Sequence, residues 1–221
     1  MTDLPSARQF AQIRHGYDPD PRRSLSLKAD AYTDNAWFEA DRQAILAKHW
    51  QWVCHVEKLR APGDYVTADI AGQPIVITRA RDGLLRAFYN VCKHRAHMLL
   101  TGAGNTSRIM CPYHAWVYRL SGELVRAPET DALEDFDTND ICLDQVKVTE
   151  FAGFVFVNLD PDAAPLQEVA GNLETEIRHW APDIENLTFA RRLTYDIKSN
   201  WKNVVDNFLE CYHCPTAHKD F

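Results

Sequence analysis

No stretch of this chain stays apolar for long. The longest uncharged apolar run, residues 151–159, is about half of the ~20 residues that a membrane-spanning helix needs, so no span is expected. The N-terminus, MTDLPSARQF, lacks an apolar core and carries an early acid, so it does not read as a signal peptide, and a cytoplasmic protein is expected. Basic charge is in deficit: 24 Lys+Arg stand against 31 Asp+Glu, a net charge of −7. Such a surface repels phosphate backbones, which excludes nucleic acid as an expected partner. It does not repel a cationic small molecule. Six cysteines in 221 residues are too few for a disulfide scaffold. Disorder is not the default either, since 46% of residues are hydrophobic and 25% charged, near the globular average.

What is present changes character along the chain. Residues 1–30 are rich in Pro, Arg and Asp without a period and read as an arm. Residues 34–50 turn helical, with Asp34 or Asn35 able to cap and with Trp37, Phe38, Ala44, Ile45 and Leu46 on a broad apolar face. A period of two follows in segments 50–56, 65–70, 74–79, 84–91, 109–120, 146–150 and 154–158. Turn signals separate them, the strongest being Arg81-Asp82-Gly83, because Asp-Gly supplies the positive φ that a tight hairpin demands. These strands predict a compact antiparallel β-domain over 50–162. Helical patterning resumes to Trp180 and ends at Ala181-Pro182. Residues 188–197 alternate like a further strand. Residues 200–214 are helical again, with Trp201, Val204, Val205, Phe208 and Tyr212 at i, i+3, i+4, i+7 and i+11. The fold class is α+β: an arm and helix (1–49), the β-domain (50–162) and the beginning of an α+β domain (163–221).

Four of the cysteines sit beside histidines. Cys54 and Cys142 stand alone and read as small buried apolar residues. Cys92-Lys93-His94 and Cys111-Pro112-Tyr113-His114 each place a thiol and an imidazole where a strand gives way to a loop. Three readings compete. They are ordinary core cysteines with surface histidines, or a structural zinc site, although zinc spacings run C-x2-4-C and H-x3-5-H. The third is a Rieske [2Fe–2S] cluster, with Cys92 and Cys111 on one iron and His94 and His114 on the other. Neutral imidazoles leave such a cluster less negative than four thiolates and raise its potential.

The tail carries a second group: Glu210, His213 and His218. Two histidines and a carboxylate bind ferrous iron and leave positions open for O2 and substrate. His213 and His218 do not share a helix face, but Pro215 disrupts helical hydrogen bonding and lets His218 swing back. Glu210, at i−3 from His213, shares its face. Cys211-x2-Cys214 has the spacing of a redox pair or half a zinc site, yet no second pair completes it, and both read as helix packing.

At these residues the sequence resembles the Rieske-type non-haem iron oxygenases, alpha (terminal oxygenase) subunit. Cys92-Lys93-His94-Arg95-Ala96 is similar to C-x-H-R-G, and Cys111-Pro112-Tyr113-His114-Ala115-Trp116 to C-P-x-H-x-W. Lys93 stands where many relatives have Pro and Ala96 where the motif has Gly, a departure that matters if φ there is positive. Asn200-Trp201-Lys202, Asn207, Glu210, His213 and His218 are similar to the family's mononuclear-iron segment. The resemblance implies a catalytic domain of helix-grip-like α+β fold and cofactors [2Fe–2S] and mononuclear Fe(II). His213 and His218 would hold the iron, and Glu210 would bridge His213 to His114 of a neighbouring subunit in a homotrimer. NAD(P)H would act indirectly through a flavin/iron–sulfur reductase. A third iron ligand is expected beyond residue 221, so the chain is expected to be the N-terminal part of an oxygenase and inactive alone.

Glu210-Cys211-Tyr212-His213-Cys214 most resembles the carnitine, choline and glycine betaine monooxygenases, and the net negative charge fits a quaternary ammonium substrate. The expected function is monooxygenation of such a compound. Alternatives are an aromatic ring-hydroxylating dioxygenase alpha subunit, a Rieske electron carrier without oxygenase activity, and a zinc-stabilised interaction module.

Overall fold

The computed structural model describes residues 16–218, which divide into two compact units: residues 45–190, and residues 16–44 with 191–218. The first half of the expected N-terminal arm, residues 1–15, lies outside the described residues.

The larger unit is built on strands β1 (Gln51–His55), β2 (Asp64–Ile70), β3 (Gln73–Arg79), β4 (Leu85–Tyr89), β5 (Ala103–Asn105), β6 (Ile109–Met110), β7 (Val117–Tyr118), β8 (Leu124–Arg126), β9 (Gln145–Phe151) and β10 (Phe154–Asn158). Seven form one antiparallel sheet in the order β1-β10-β9-β4-β3-β2-β5, and β6-β7-β8 form a second. The Asp82-Gly83 turn joins β3 to β4 as expected. Gly83 has φ +80°, and Ala80 and Leu84 close the loop through the Ala80 N–H and the Leu84 carbonyl.

Strand β3 shows why the sheet holds two cores. Side chains alternate across a strand, so Ile75 and Ile77 pack with Leu59, Val155 and Val157 on one face. Val76 packs on the other, with Phe88, Ile109, Tyr118, Leu124 and Leu143. This second core fills the space between the two sheets and contains Cys92 and Cys111.

Several expectations are corrected. Residues 109–120 are not one strand but two short ones around a six-residue loop, because residues 111–116 leave the ladder to form that loop. Residues 163–180 are two helices, α3 (Leu166–Ala170) and α4 (Leu173–Trp180), parted at Gly171, whose φ of +57° is left-handed. Cys54 is buried, but Cys142 is exposed at an isolated bridge to Glu123, where its sulfur faces the Gly122 turn.

In the smaller unit, α1 (Asp30–Thr33) and α2 (Asn35–Asp41) precede a π-helical turn, Arg42–Leu46, that crosses into the larger unit. Asp34 caps α2 by accepting the Ala36 N–H at 2.8 Å. Near the C-terminus lie α5 (Trp201–Leu209) and α6 (Cys214–Ala217). Residues 188–197 form no strand. A strand needs a hydrogen-bonding neighbour, and Phe189, Leu193, Tyr195 and Ile197 all remain exposed. Beyond the half-buried Trp201, the apolar residues of α5 are exposed too, Phe208 at 87%, as is Tyr212 after its end at 95%. The alternation and the amphipathic period are real, but these side chains stay exposed.

Candidate metal centres

The first centre is built from two copies of one backbone loop. In the loop after β4, Cys92 N–H donates to the His97 carbonyl at 2.9 Å, and Ala96 N–H donates back to the Cys92 carbonyl at 2.9 Å. In the loop after β6, Cys111 N–H donates to the Trp116 carbonyl at 2.8 Å, and Ala115 N–H to the Cys111 carbonyl at 3.1 Å. Each loop closes through a left-handed alanine, Ala96 at φ +54° and Ala115 at φ +56°. A Cβ in this region clashes with the following carbonyl, which is why glycine is the ordinary occupant. The positive φ that the Gly-to-Ala departure at 96 put at issue is therefore required, and the backbone adopts it. Ala115 was not flagged from the sequence, although the shared Cys-x3-Ala spacing pointed to it.

Asn90, 1% exposed, anchors the first loop from behind. Its side chain donates to the Leu100 carbonyl at 2.7 Å and accepts the Leu100 N–H at 3.0 Å.

The loops bring the four predicted donors together in two pairs. Cys92 and Cys111 are buried and adjacent, while His94 and His114 lie at the surface with ring centroids 4.7 Å apart. His94 stacks on the buried Trp116 indole, 4.9 Å away and 9° from parallel, whereas His114 lies 3.8 Å from the exposed Tyr113 ring. Desolvation, then the neighbouring His114 and Arg95 charges, holds His94 below its ordinary pKa and favours the neutral, ligating imidazole. Among the described residues no three His, Cys, Asp or Glu side chains are arranged around a single ion. Two thiols at one end and two imidazoles at the other fit a two-iron cluster in which one iron takes a pair of cysteines and the other a pair of histidines.

A further residue, not found from the sequence, faces the thiol pair. The Tyr118 hydroxyl lies 3.1 Å from Cys92 Sγ and accepts the Lys93 N–H at 3.0 Å. Either group can donate while Cys92 is a thiol; a thiolate sulfur could only accept, and the hydroxyl proton would then be directed at it. Burial first, and then the hydrogen bond with Cys92, pushes the Tyr118 pKa well up, so it stays protonated. Burial raises the Cys92 thiol against the opposing pull of Tyr118. Proline at position 93 has no N–H to give, so Lys93 supplies what the commoner residue could not. Its ammonium group pairs with Asp144 at 2.9 Å.

The second centre lies in the smaller unit. Asn200 caps α5 by accepting the Lys202 N–H at 3.0 Å. The Trp201 indole N–H donates to Asp41 at 3.2 Å, and Lys202 pairs with the same carboxylate, both ion-pair side chains being nearly buried. Tyr32 adds a hydroxyl bond to Asp206 at 3.0 Å. The Asn-Trp-Lys triplet thus starts α5 and fastens it to α2, a role for Asp41 that the sequence did not disclose.

Helix α5 stops at Leu209, short of the expected 214. Glu210 is extended, at φ −126° and ψ 150°, so it does not share a helical face with His213. It reaches His213 through a turn instead: one carboxylate oxygen lies 2.6 Å from His213 Nδ1 and the other accepts the Tyr212 N–H. The hydrogen bond to His213 holds the Glu210 pKa below its ordinary value. An ionised carboxylate only accepts, so Nδ1 donates to it and Nε2 is the nitrogen left to ligate a metal.

Pro215 does not break a helix; it occupies the first turn of α6, where its missing N–H costs nothing. His213 and His218 cap the two ends of that short helix, and their rings come within 5.3 Å. Cys211 is exposed and Cys214 half-buried across the turn, so they do not pack a helix. Two imidazoles, one backed by a carboxylate, fit part of a ferrous-iron site.

Residues 49–137 match the Rieske [2Fe-2S] domain, and residues 184–221 match the ring hydroxylating alpha subunit (catalytic domain). The chain thus carries a Rieske [2Fe-2S] domain followed by a segment similar to the opening of a ring-hydroxylating catalytic domain. It is 42% identical over 203 residues to the carnitine monooxygenase oxygenase subunit of Escherichia coli (strain K12), covering 91% of this chain and 54% of that one. A solved quaternary ammonium Rieske monooxygenase in complex with L-carnitine superposes with a TM-score of 0.83 at 42% identity, covering 86% of this chain and 54% of that one. Naphthalene 1,2-dioxygenase with indole in its active site superposes at 0.79 with 31% identity, covering 88% and 45%. The chain spans about half the length of the curated relatives it matches. No helix among the described residues is long and apolar enough to cross a membrane.

Proposed function

We propose that the whole protein is the oxygenase component of a quaternary ammonium monooxygenase, acting on a compound of the carnitine, choline or glycine betaine type. The similarity to the carnitine enzyme over nine-tenths of this chain carries the reading. In it, the arm and helix are residues 1–49, the cluster domain 50–162 and the opening of the catalytic domain 163–221. Cys92 and Cys111 take one iron of the [2Fe–2S] cluster and His94 and His114 the other, while His213 and His218 take mononuclear Fe(II). Bound there, the cluster supplies single electrons and the ferrous iron activates O2.

This chain's residues set the conditions for that chemistry. The interior core shields the thiol end from water, and Trp116 fixes the plane of the His94 imidazole. Glu210 holds His213 in one tautomer and, being ionised, strengthens its Nε2 as a ligand. Its exposed carboxylate also accepts a hydrogen bond from His114 of a neighbouring subunit in a homotrimer, giving a path between the two centres. A cytoplasmic flavin/iron–sulfur reductase using NAD(P)H completes the system.

The test is a full-length protein carrying Glu210→Gln. Iron and sulfide content should match the wild type, while carnitine-dependent NADH consumption falls about 10–100-fold, as for other residues that orient a ligating histidine. Wild-type turnover with glutamine at 210 would refute the role of the carboxylate. Turnover of naphthalene in place of the quaternary amines would select the aromatic-hydroxylating alternative.

A further inference from the structure

Arg42, Arg79, Arg86 and Arg178 each pair with a carboxylate. Arg81, Arg108 and Arg119 do not. They come from three separate segments of the larger unit and line one cleft of about 220 Å³, with Ser107, Ser121 and Asp82 between them. None has a side-chain hydrogen bond or ion pair among the described residues, and all three are exposed.

The one carboxylate lining the cleft is already committed. Asp82 receives both Arg86 guanidinium nitrogens, at 2.9 and 2.7 Å, and the Leu84 N–H at 3.0 Å. Ser121 donates its hydroxyl to the Glu123 carboxylate, which does not itself line the cleft, so the lining carries three free guanidinium groups against one paired carboxylate.

Each arginine is also carried on rigid backbone. Arg81 sits in the closed Ala80–Leu84 turn. Arg108 follows Thr106, whose hydroxyl donates to the Arg108 carbonyl at 2.8 Å. Arg119 opens a turn at Gly122, with φ +104°, where an added Cβ would lie 2.6 Å from the Phe88 ring. Guanidinium forks on fixed supports around a concavity match oxyanions through paired N–H···O bonds, and they repel one another until an anion enters. A cleft below the roughly 300–1,000 Å³ of drug-sized pockets suits an anion of few atoms.

We propose that this cleft is a binding site for a small multivalent oxyanion, a phosphate, pyrophosphate or polycarboxylate, separate from both metal centres. It rests on side chains unused by the oxygenase reading and stands or falls apart from it. The test is calorimetric titration of the full chain with sodium pyrophosphate, orthophosphate, citrate and acetate. Saturable one-site binding is expected for pyrophosphate and citrate, weaker for orthophosphate and absent for acetate, and it should weaken as ionic strength rises. Arg108→Ala and Arg119→Ala should each raise the Kd about tenfold, one charge-assisted pair being worth roughly a factor of ten. Arg191→Ala, in the other unit, should leave it unchanged. As all three arginines are exposed, their variants should fold, and circular dichroism checks this. Absence of saturable binding, or equal binding by the triple Arg81/Arg108/Arg119→Ala variant, would overturn the proposal. Saturation by a polyglutamate peptide but not by pyrophosphate would overturn it in favour of docking by an acidic polypeptide.

Discussion

Replacing Tyr118 with phenylalanine removes one oxygen from a fully buried position and leaves the ring packing in place. Two bonds go with it: the one with Cys92 Sγ at 3.1 Å, in which the hydroxyl donates once the sulfur is a thiolate, and the acceptance of the Lys93 N–H at 3.0 Å. Hydrogen bonds to the sulfurs help to set the potential of an iron–sulfur centre, since a donor stabilises the more negative, reduced state. A hydrogen bond to a charged group contributes about 1.5–3 kcal/mol, and only the part that strengthens on adding an electron counts. If that part is about 1–2 kcal/mol, the midpoint falls by about 40–90 mV, because 59 mV is a factor of ten for one electron. The stranded amide destabilises the fold by a further ~1–3 kcal/mol. Redox titration of the loaded protein, followed by EPR, reads the first effect, and thermal unfolding reads the second. Lys93→Pro separates them from the other side: it deletes the amide donor, keeps the hydroxyl and should move the midpoint less. A Tyr118→Phe midpoint equal to that of the wild type would show that the hydroxyl proton is not aimed at the sulfur.

Two further outcomes follow from backbone and charge. At Ala96 the left-handed conformation costs about 1–2 kcal/mol, and the added chain entropy of glycine returns only part of this, so Ala96→Gly should stabilise the protein by roughly 0.5–1 kcal/mol. A rise in Tm of a few degrees is the readout, and a fall would show that the loop is not strained there. Asp82, hydrogen-bonded by Arg86 and the Leu84 N–H, has its pKa lowered from 3.8 to about 2. A depressed carboxylate contributes stability above its unfolded pKa and loses it as pH falls through its folded value. Asp82→Asn should therefore narrow the difference in stability between pH 5 and pH 2, and an unchanged pH profile would count against the pair.

The candidate donors stood out in the sequence because their grouping is local: Cys92 with His94, Cys111 with His114 and Glu210 with His213 each lie within one loop or turn. Tyr118 did not, since it reaches Cys92 across 26 residues and only the β6–β7 pairing brings it there. Asp41 escaped for the same reason, lying 161 residues from Lys202. Strands β5 and β8 were missed because three residues, among them Gly104 and Asn105 in β5, leave no alternation to read. In the tail the periodicity was visible but over-extended. Sequence period reports which face wants burial, and it does not report where the backbone leaves the helix, as it does at Glu210.

The paired loops have one more consequence. Their frames match, yet His94 follows its cysteine by two residues and His114 by three, so the two imidazoles do not meet as mirror images but at 68°. One is backed by the indole of Trp116, buried in the core, and the other by the ring of Tyr113, open to solvent. The centre thus has a closed back and an open front. Both imidazoles reach the surface, but on unlike supports, so duplicated backbone has produced two inequivalent positions for the same side chain.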